Sequence, residues 1–201
     1  GYAAAEAASG GVVEQGSIGA GAGATVGKLG PRGTAMKGGI GTAAVTLPGG
    51  VTVGAIVAVN AVGDVVDPAT GQIVAGIRSE DGTGFSDARK LIYTRTGLVG
   101  ASGENTTIGV VATNATLTKA QATKLAQMAH DGLARAIYPA HTPWDGDTIF
   151  SLATGEVEGE ADLIVLGSVA ADVVAEAILN AVRAAEGLED FPSVRDLEGV
   201  R

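Results

Sequence analysis

The sequence predicts an α+β fold, a sandwich of β-sheet covered by helices. Three observations carry this. Runs of Val, Ile and Thr are broken by turn residues, as in "IGTAAVTLPGGVTVGAIVAVN" (residues 40–60). Two long segments place apolar residues at helical spacing. The strands come as hairpin-like neighbours rather than in strict βαβ alternation, which argues against a doubly wound sheet.

Along the chain, "GYAAAEAAS" reads as a helix already under way, with no cap residue ahead of it and Gly10-Gly11 behind it. That points to a fragment whose upstream part is missing. A glycine-rich loop follows, "VVEQGSIGAGAGATVGKLG". Pro48-Gly49-Gly50 separates two strands, Ile40–Leu47 and Val51–Asn60. The second is apolar at nearly every position, so both its faces should be covered. Residues 67–104 read as a long surface excursion with a short helix near Ser86–Leu91. Thr107–Thr113 is a buried strand. A helix spans Thr118–Ile137, with Thr118 as its N-cap. "YPAHTPWDGDTIFSLAT" turns into another strand, "GEVEGEAD" is an acidic loop, Leu163–Ala185 is the last helix, and the tail from Glu186 is loose. No internal repeat is present.

Composition narrows the functions. The chain has 201 residues, enough for one domain with a core, and a net charge of −9 without a basic cluster. Nucleic acid is therefore excluded as a partner class on electrostatic grounds. With no cysteine, disulfides, thiolate catalysis and zinc–thiolate sites fall away, and the compartment leans cytoplasmic. No apolar run approaches the ~20 residues of a membrane span, and a signal peptide is not apparent. Aromatics make up 3% of the chain and glycine 32 positions, so the core packs through small side chains and close backbone approach.

Most familiar motifs fail on inspection. "GAGAGATVGK" lacks the spacing and the Ser/Thr of a phosphate loop, and no acid follows about 20 residues on as a dinucleotide fold requires. Lys28 within it is an isolated cation among small residues. His130 and His141 are the only histidines, with neither a GxSxG elbow nor HExxH spacing to give them a role. No cofactor or metal is called for. Asp145 and Asp147 flank Gly146 just before an apolar strand, and acids at i and i+2 of an extended segment share a side.

The stretch "GENTTIGVVAT" raises a sharper possibility. A threonine hydroxyl needs a base, and this chain offers few. An α-amine with a pKa near ~7.7–8.0 is suited to the task. Scission between Asn105 and Thr106 would place that amine and a hydroxyl on one residue. The Thr106 hydroxyl could make the cut itself by an N-to-O acyl shift onto the Asn105 carbonyl. The competing reading is a plain strand entry.

"GSIGAGAGATVGKLG", "VNAVGD", "ENTTIGVVATNA" and "PAHTPWDGDTIFSLAT", in this order, resemble the self-processing N-terminal-nucleophile peptidases of the DmpA type (peptidase family S58). That family includes β-peptidyl aminopeptidases and the nylon-oligomer hydrolase NylC. The likeness runs from Gly1 to about Ala185 and covers the later part of a family member. It implies an αββα sandwich and one hydrolase domain cut into residues 1–105 and 106–201. Thr106 would be the nucleophile and Asn60 an oxyanion donor. Asp145 and Asp147, thirty-nine and forty-one residues beyond Thr106, would orient its amine and hydroxyl, and Lys28 would support that network. The NylC branch has Thr after Asn at the cut, as here. The implied activity is hydrolysis of short linear amides such as 6-aminohexanoate oligomers, without cofactor, by a homo-oligomer such as a tetramer of cleaved protomers. An aminopeptidase on small peptides or β-peptides, an acyltransferase of the ornithine-acetyltransferase type and a non-catalytic assembly protein are the alternatives.

Overall fold

A computed structural model describes residues 1–95 and 105–198. In chain order they form α1 (Tyr2–Glu6), a 3₁₀ turn (Gly19–Gly21), β1 (Thr25–Val26), β2 (Met36–Lys37), β3 (Gly39–Thr46), β4 (Thr52–Val59), β5 (Asp64–Val66), β6 (Ile73–Ala75), α2 (Ala88–Thr94), β7 (Ile108–Ala115), α3 (Lys119–Ala136), β8 (Ile137–Tyr138), β9 (Thr148–Val157), α4 (Leu163–Ala184) and α5 (Val194–Glu198).

The main sheet has the order β3-β4-β7-β9. Pro48-Gly49-Gly50 joins β3 to β4 as an antiparallel hairpin, with Thr46 opposite Thr52 and Gly39 opposite Val59. β4 pairs antiparallel with β7, placing Val57 opposite Gly109. β7 pairs parallel with β9, Ile108 opposite Thr148. The connection between these two strands runs through α3. This parallel crossover was not expected from the hairpin-like strand pattern, and it positions the site described below. A smaller sheet, β6-β5-β8, lies apart from the main one.

α3 and α4 cover one face of the main sheet. Val53, Ala55, Val57 and Val59 of β4 alternate inward and meet Val173, Val174, Ile178 and Val182 of α4 in one apolar cluster. Small residues set the distance between the layers. A β-carbon on Gly41 would run into the Ala177 carbonyl oxygen and the Ala181 backbone, so β3 lies directly under α4. α3 starts on a capping box. The Thr118 hydroxyl accepts from the Gln121 N–H, and the Gln121 carboxamide accepts from the Thr118 N–H. Thr118→Ala should destabilise the protein by about 1 kcal/mol, read from the midpoint of urea unfolding at an unchanged slope.

The opposite face of the sheet is different. Ile56 and Val110 are half-buried, and Ile108, Phe150 and Leu152 are exposed. The expectation that both faces of β4 are covered is therefore met on one face only. One helix layer and one sheet of the αββα arrangement are in place, and the open apolar face is the kind of surface on which a sandwich lays its second sheet.

Four other expectations change. Within the surface excursion expected over residues 67–104, α2 (Ala88–Thr94) is the short helix expected near Ser86–Leu91, but β6 (Ile73–Ala75) adds a strand that was not expected; residues 96–104 lie outside the described range. β9 continues to Val157, shortening the acidic loop. Through Glu198 the tail is ordered: Leu188 and Phe191 exchange backbone hydrogen bonds, and the Asp196 carboxylate accepts from the Ser193 N–H and hydroxyl. Finally, α4 is long and apolar enough to cross a membrane by length and composition. It is the core helix instead, with Ala177, Ile178, Ala181 and Val182 fully buried.

Candidate active site

β4, β7 and β9 converge where the end of β4 meets the starts of two parallel strands. The β7–β9 ladder extends backward past both strands as an isolated parallel bridge between Asn105 and Asp145. Residues forty apart, Asn105 with Asp145 and Thr107 with Asp147, become neighbours because α3 carries the chain up and back between them. Lys28 comes in from the loop after β1, whose backbone N–H donates to the Val62 carbonyl.

The 105–106 peptide is held on both sides. Its N–H, on Thr106, donates to the main-chain oxygen of Asn60 at 3.0 Å. Its carbonyl, on Asn105, accepts from the Gly146 N–H at 2.8 Å and from the Thr106 hydroxyl at 2.7 Å. Asn105 is buried at 3% exposure, whereas Thr106 is half-buried and can be reached from outside. One residue further on, the Thr107 N–H donates to Asp147 Oδ1 at 2.9 Å, and the Thr107 carbonyl accepts from Thr148 N–H at 3.0 Å.

Both acids are anchored. Asp145 Oδ1 accepts from Val62 N–H at 3.2 Å. Its Oδ2 accepts from the Thr142 hydroxyl at 2.6 Å and the Thr142 N–H at 3.1 Å. Asp147 Oδ2 accepts from the His141 N–H at 3.0 Å, and the His141 ring Nδ1 lies 3.0 Å from the same oxygen. His130 stacks obliquely on His141 with ring centroids 5.0 Å apart. Burial, and next the neighbouring His141, hold His130 below its ordinary pKa.

Lys28 Nζ donates to Asn60 Oδ1 at 2.7 Å and to the Asn60 carbonyl at 3.3 Å. Burial brings its pKa down to about 8, while the nearby Asp145 carboxylate pulls the other way. A burial cost of this kind on a lone cation is a mark of functional sites. Asn60 Oδ1 also accepts from Thr25 N–H at 3.1 Å. The Asn60 carbonyl is thus a hub, touched by the cation on one side and by the Thr106 N–H on the other.

All six sequence-predicted positions, Lys28, Asn60, Asn105, Thr106, Asp145 and Asp147, fall in this one place. Sequence reasoning missed three others. Thr142 and His141, which hold the two acids, lie in the quoted "PAHTPWDGD" but gave no sign of their role. Gly146 was read only as a spacer between acids. Among the described residues no group of three His, Cys, Asp or Glu side chains could hold a metal ion. A cavity of about 470 Å³ lies elsewhere, lined by Asp67, Phe85, Arg183 and Arg195 among others, none of them part of this site.

Comparison with known proteins shows what the chain is similar to. The model of peptidase family S58 matches residues 1–194. An uncharacterized aminopeptidase of Mycobacterium leprae is 43% identical over 163 residues, 70% of this chain and 42% of its own. A 6-aminohexanoate-oligomer endohydrolase of Paenarthrobacter ureafaciens is 32% identical over 143 residues, 63% of this chain and 39% of its own. The solved structure of a Burkholderia sp. beta-aminopeptidase superposes with a TM-score of 0.62 at 29% identity, covering 90% of this chain and 50% of that one. The chain spans about half the length of the relatives it matches.

Proposed function

The chain belongs to peptidase family S58, and on that footing we propose that it is the nucleophile-bearing part of a self-processing amide hydrolase. The observation that carries this reading is the clamp on the 105–106 peptide. The Thr106 hydroxyl is 2.7 Å from the carbonyl oxygen of its own peptide bond, and that bond is fixed by Asn60 and Gly146. A plain strand entry has no use for a lysine, two anchored carboxylates and a hydroxyl gathered around one peptide.

Cleavage gives Thr106 a free α-amine. The amine removes the hydroxyl proton, and Oγ1 attacks the carbonyl carbon of a bound amide. The tetrahedral intermediate collapses to an acyl-enzyme, releasing the amine product, and water hydrolyses the ester. The start of β7 holds the nucleophile on a rigid element, which supplies orientation. Asp145 and Asp147 set the segment that faces it, and Lys28 keeps a positive charge beside the Asn60 carbonyl.

The substrate class is a short linear amide. Thr at position 106 after Asn and the "DGD" sequence favour 6-aminohexanoate-type oligomers. The 43% identity to a protein named as an aminopeptidase favours a second reading, release of N-terminal residues from small peptides or β-peptides. Intact-mass measurement of the purified chain tests the shared step: two pieces meeting at 105/106 are expected, and a single unbroken chain would point to the non-catalytic alternative. Incubation of the cleaved protein with a 6-aminohexanoate trimer and, separately, with an aminoacyl anilide then separates the two substrate readings. Acetyl transfer to an amine without hydrolysis of either would favour the acyltransferase.

A further inference from the structure

We propose that the main-chain N–H of Gly146 is the oxyanion donor of the 105–106 scission, and that position 146 must lack a β-carbon so that the Thr106 hydroxyl can work. The inference rests on the self-processing reading above and adds to it a group and a reason for a glycine.

The Gly146 N–H already points at the oxygen on which charge would develop. It lies 2.8 Å from the Asn105 carbonyl oxygen in the intact peptide, and the same oxygen carries the charge once the carbon becomes tetrahedral, so the donor is already placed on the side where the oxyanion forms. The parallel register sets this contact. Asp145 bridges Asn105, and two residues on, the Thr148 N–H meets the Thr107 carbonyl. The donor is also fixed from both sides. Asp145 is held by Val62 and Thr142, and Asp147 by Thr107 and His141. On this view the two carboxylates act during scission as positioning residues, holding the peptide between them still. A fixed dipole needs no reorganisation as charge forms, which is what makes such donors effective.

The glycine has a separate explanation. Its φ is not in the left-handed region, so backbone conformation does not demand glycine. Space does. A β-carbon at 146 would sit 2.7 Å from Thr106 Oγ1, too close for any ordinary contact. Alanine would push the nucleophile away from its carbonyl while leaving the N–H in place.

The step balances as follows. Oγ1 of Thr106 forms a bond to the Asn105 carbonyl carbon, and the carbonyl electron pair moves onto oxygen, facing the Gly146 N–H. The C–N bond to Thr106 then breaks, and the hydroxyl proton ends on the departing nitrogen. An ester links Asn105 to Thr106 Oγ1. Water adds to the ester, its hydroxyl stays on Asn105 as a carboxylic acid, and Oγ1 recovers a proton.

The test replaces the Gly146 amide by an ester, through incorporation of glycolic acid into the full chain, and follows appearance of the two pieces by mass. Removing the one N–H should slow scission roughly 100-fold or more. An equivalent ester at Thr148, which deletes the neighbouring ladder bond to Thr107, controls for loss of strand structure and should leave the rate close to that of the parent. Gly146→Ala should also slow scission, and Thr106→Ser in the Gly146→Ala background should restore part of it, because serine's hydroxyl has more rotamer freedom. Scission of the Gly146 ester at the parental rate, or equal slowing by the Thr148 ester, overturns the assignment. Absence of scission in the parent chain itself would instead overturn the self-processing reading.

Discussion

Thr106→Ala should leave a single unbroken chain with no amide hydrolysis, whereas Thr106→Ser should still separate into two pieces. The contrast isolates the hydroxyl from the fold. Thr106 is half-buried, and the hydroxyl's hydrogen bond is to the adjacent Asn105 carbonyl. Losing one such bond costs about 1 kcal/mol of stability, too little to unfold a domain held by the core of α4 and β4. The kinetic effect is far larger. Without Oγ1 the acyl shift has no nucleophile, and the amine that would later act as base is never released. Knocking out a nucleophile commonly costs on the order of 10⁶ in rate. Intact mass after prolonged incubation, with circular dichroism to confirm folding, reads both sides. Two pieces from the alanine chain would mean that some other group cuts the bond, and the N-terminal nucleophile would have to be abandoned.

How far this was legible in the sequence depends on the range of the interaction. Local signals read well. Pro48-Gly49-Gly50 located the β3–β4 hairpin, and Thr118 located the start of α3. Signals that depend on partners distant in sequence did not, and neither did caps set within polar segments. The tail from Glu186 looks polar and loose, yet Asp196 reaches back to Ser193 and holds a turn that buries Val194. α4 carries Asp172, Glu176 and Arg183, which hid how apolar the rest of the helix is. Asp162, its N-cap, sat inside what looked like a featureless acidic loop. The site itself shows the same divide. The residue types at 28, 60, 105, 106, 145 and 147 were singled out from motif and resemblance. Their juxtaposition depends on a parallel crossover that the strand pattern did not announce. Gly146 is invisible to motif reading because its contribution is a backbone N–H and an absence of side chain.

Lys28→Met should slow scission by about 10²-fold and, at pH below 8, make the fold more stable. The two effects have one cause. Lys28 is a cation taken out of water with an amide and a carbonyl as its partners, Asn60 Oδ1 at 2.7 Å and Asn60 O at 3.3 Å. Burial lowers its pKa from 10.5 to about 8, with Asp145 opposing the shift. A lysine whose folded pKa is depressed is carried charged into the fold at a cost. That cost is full below pH 8 and fades as pH climbs from 8 to 10.5, so the parent chain gains stability across that window. Methionine fills similar space without the charge, so its curve should rise less there, keeping the share of Lys37, whose pKa burial also lowers. Function runs the opposite way. The charge sits on the Asn60 carbonyl that holds the Thr106 N–H, so it acts along the hydrogen-bond chain of the peptide on whose oxygen negative charge appears, and a fixed positive charge so coupled favours the transition state. Scission in the parent should therefore fall as pH rises through about 8, while Lys28→Arg, charged at every accessible pH, should lose that fall. Urea midpoints and scission rates measured from pH 6 to 10 read both trends on the same three proteins. Scission that speeds up above pH 8 in the parent would make the neutral amine the working form, with Lys28 a base rather than a source of charge.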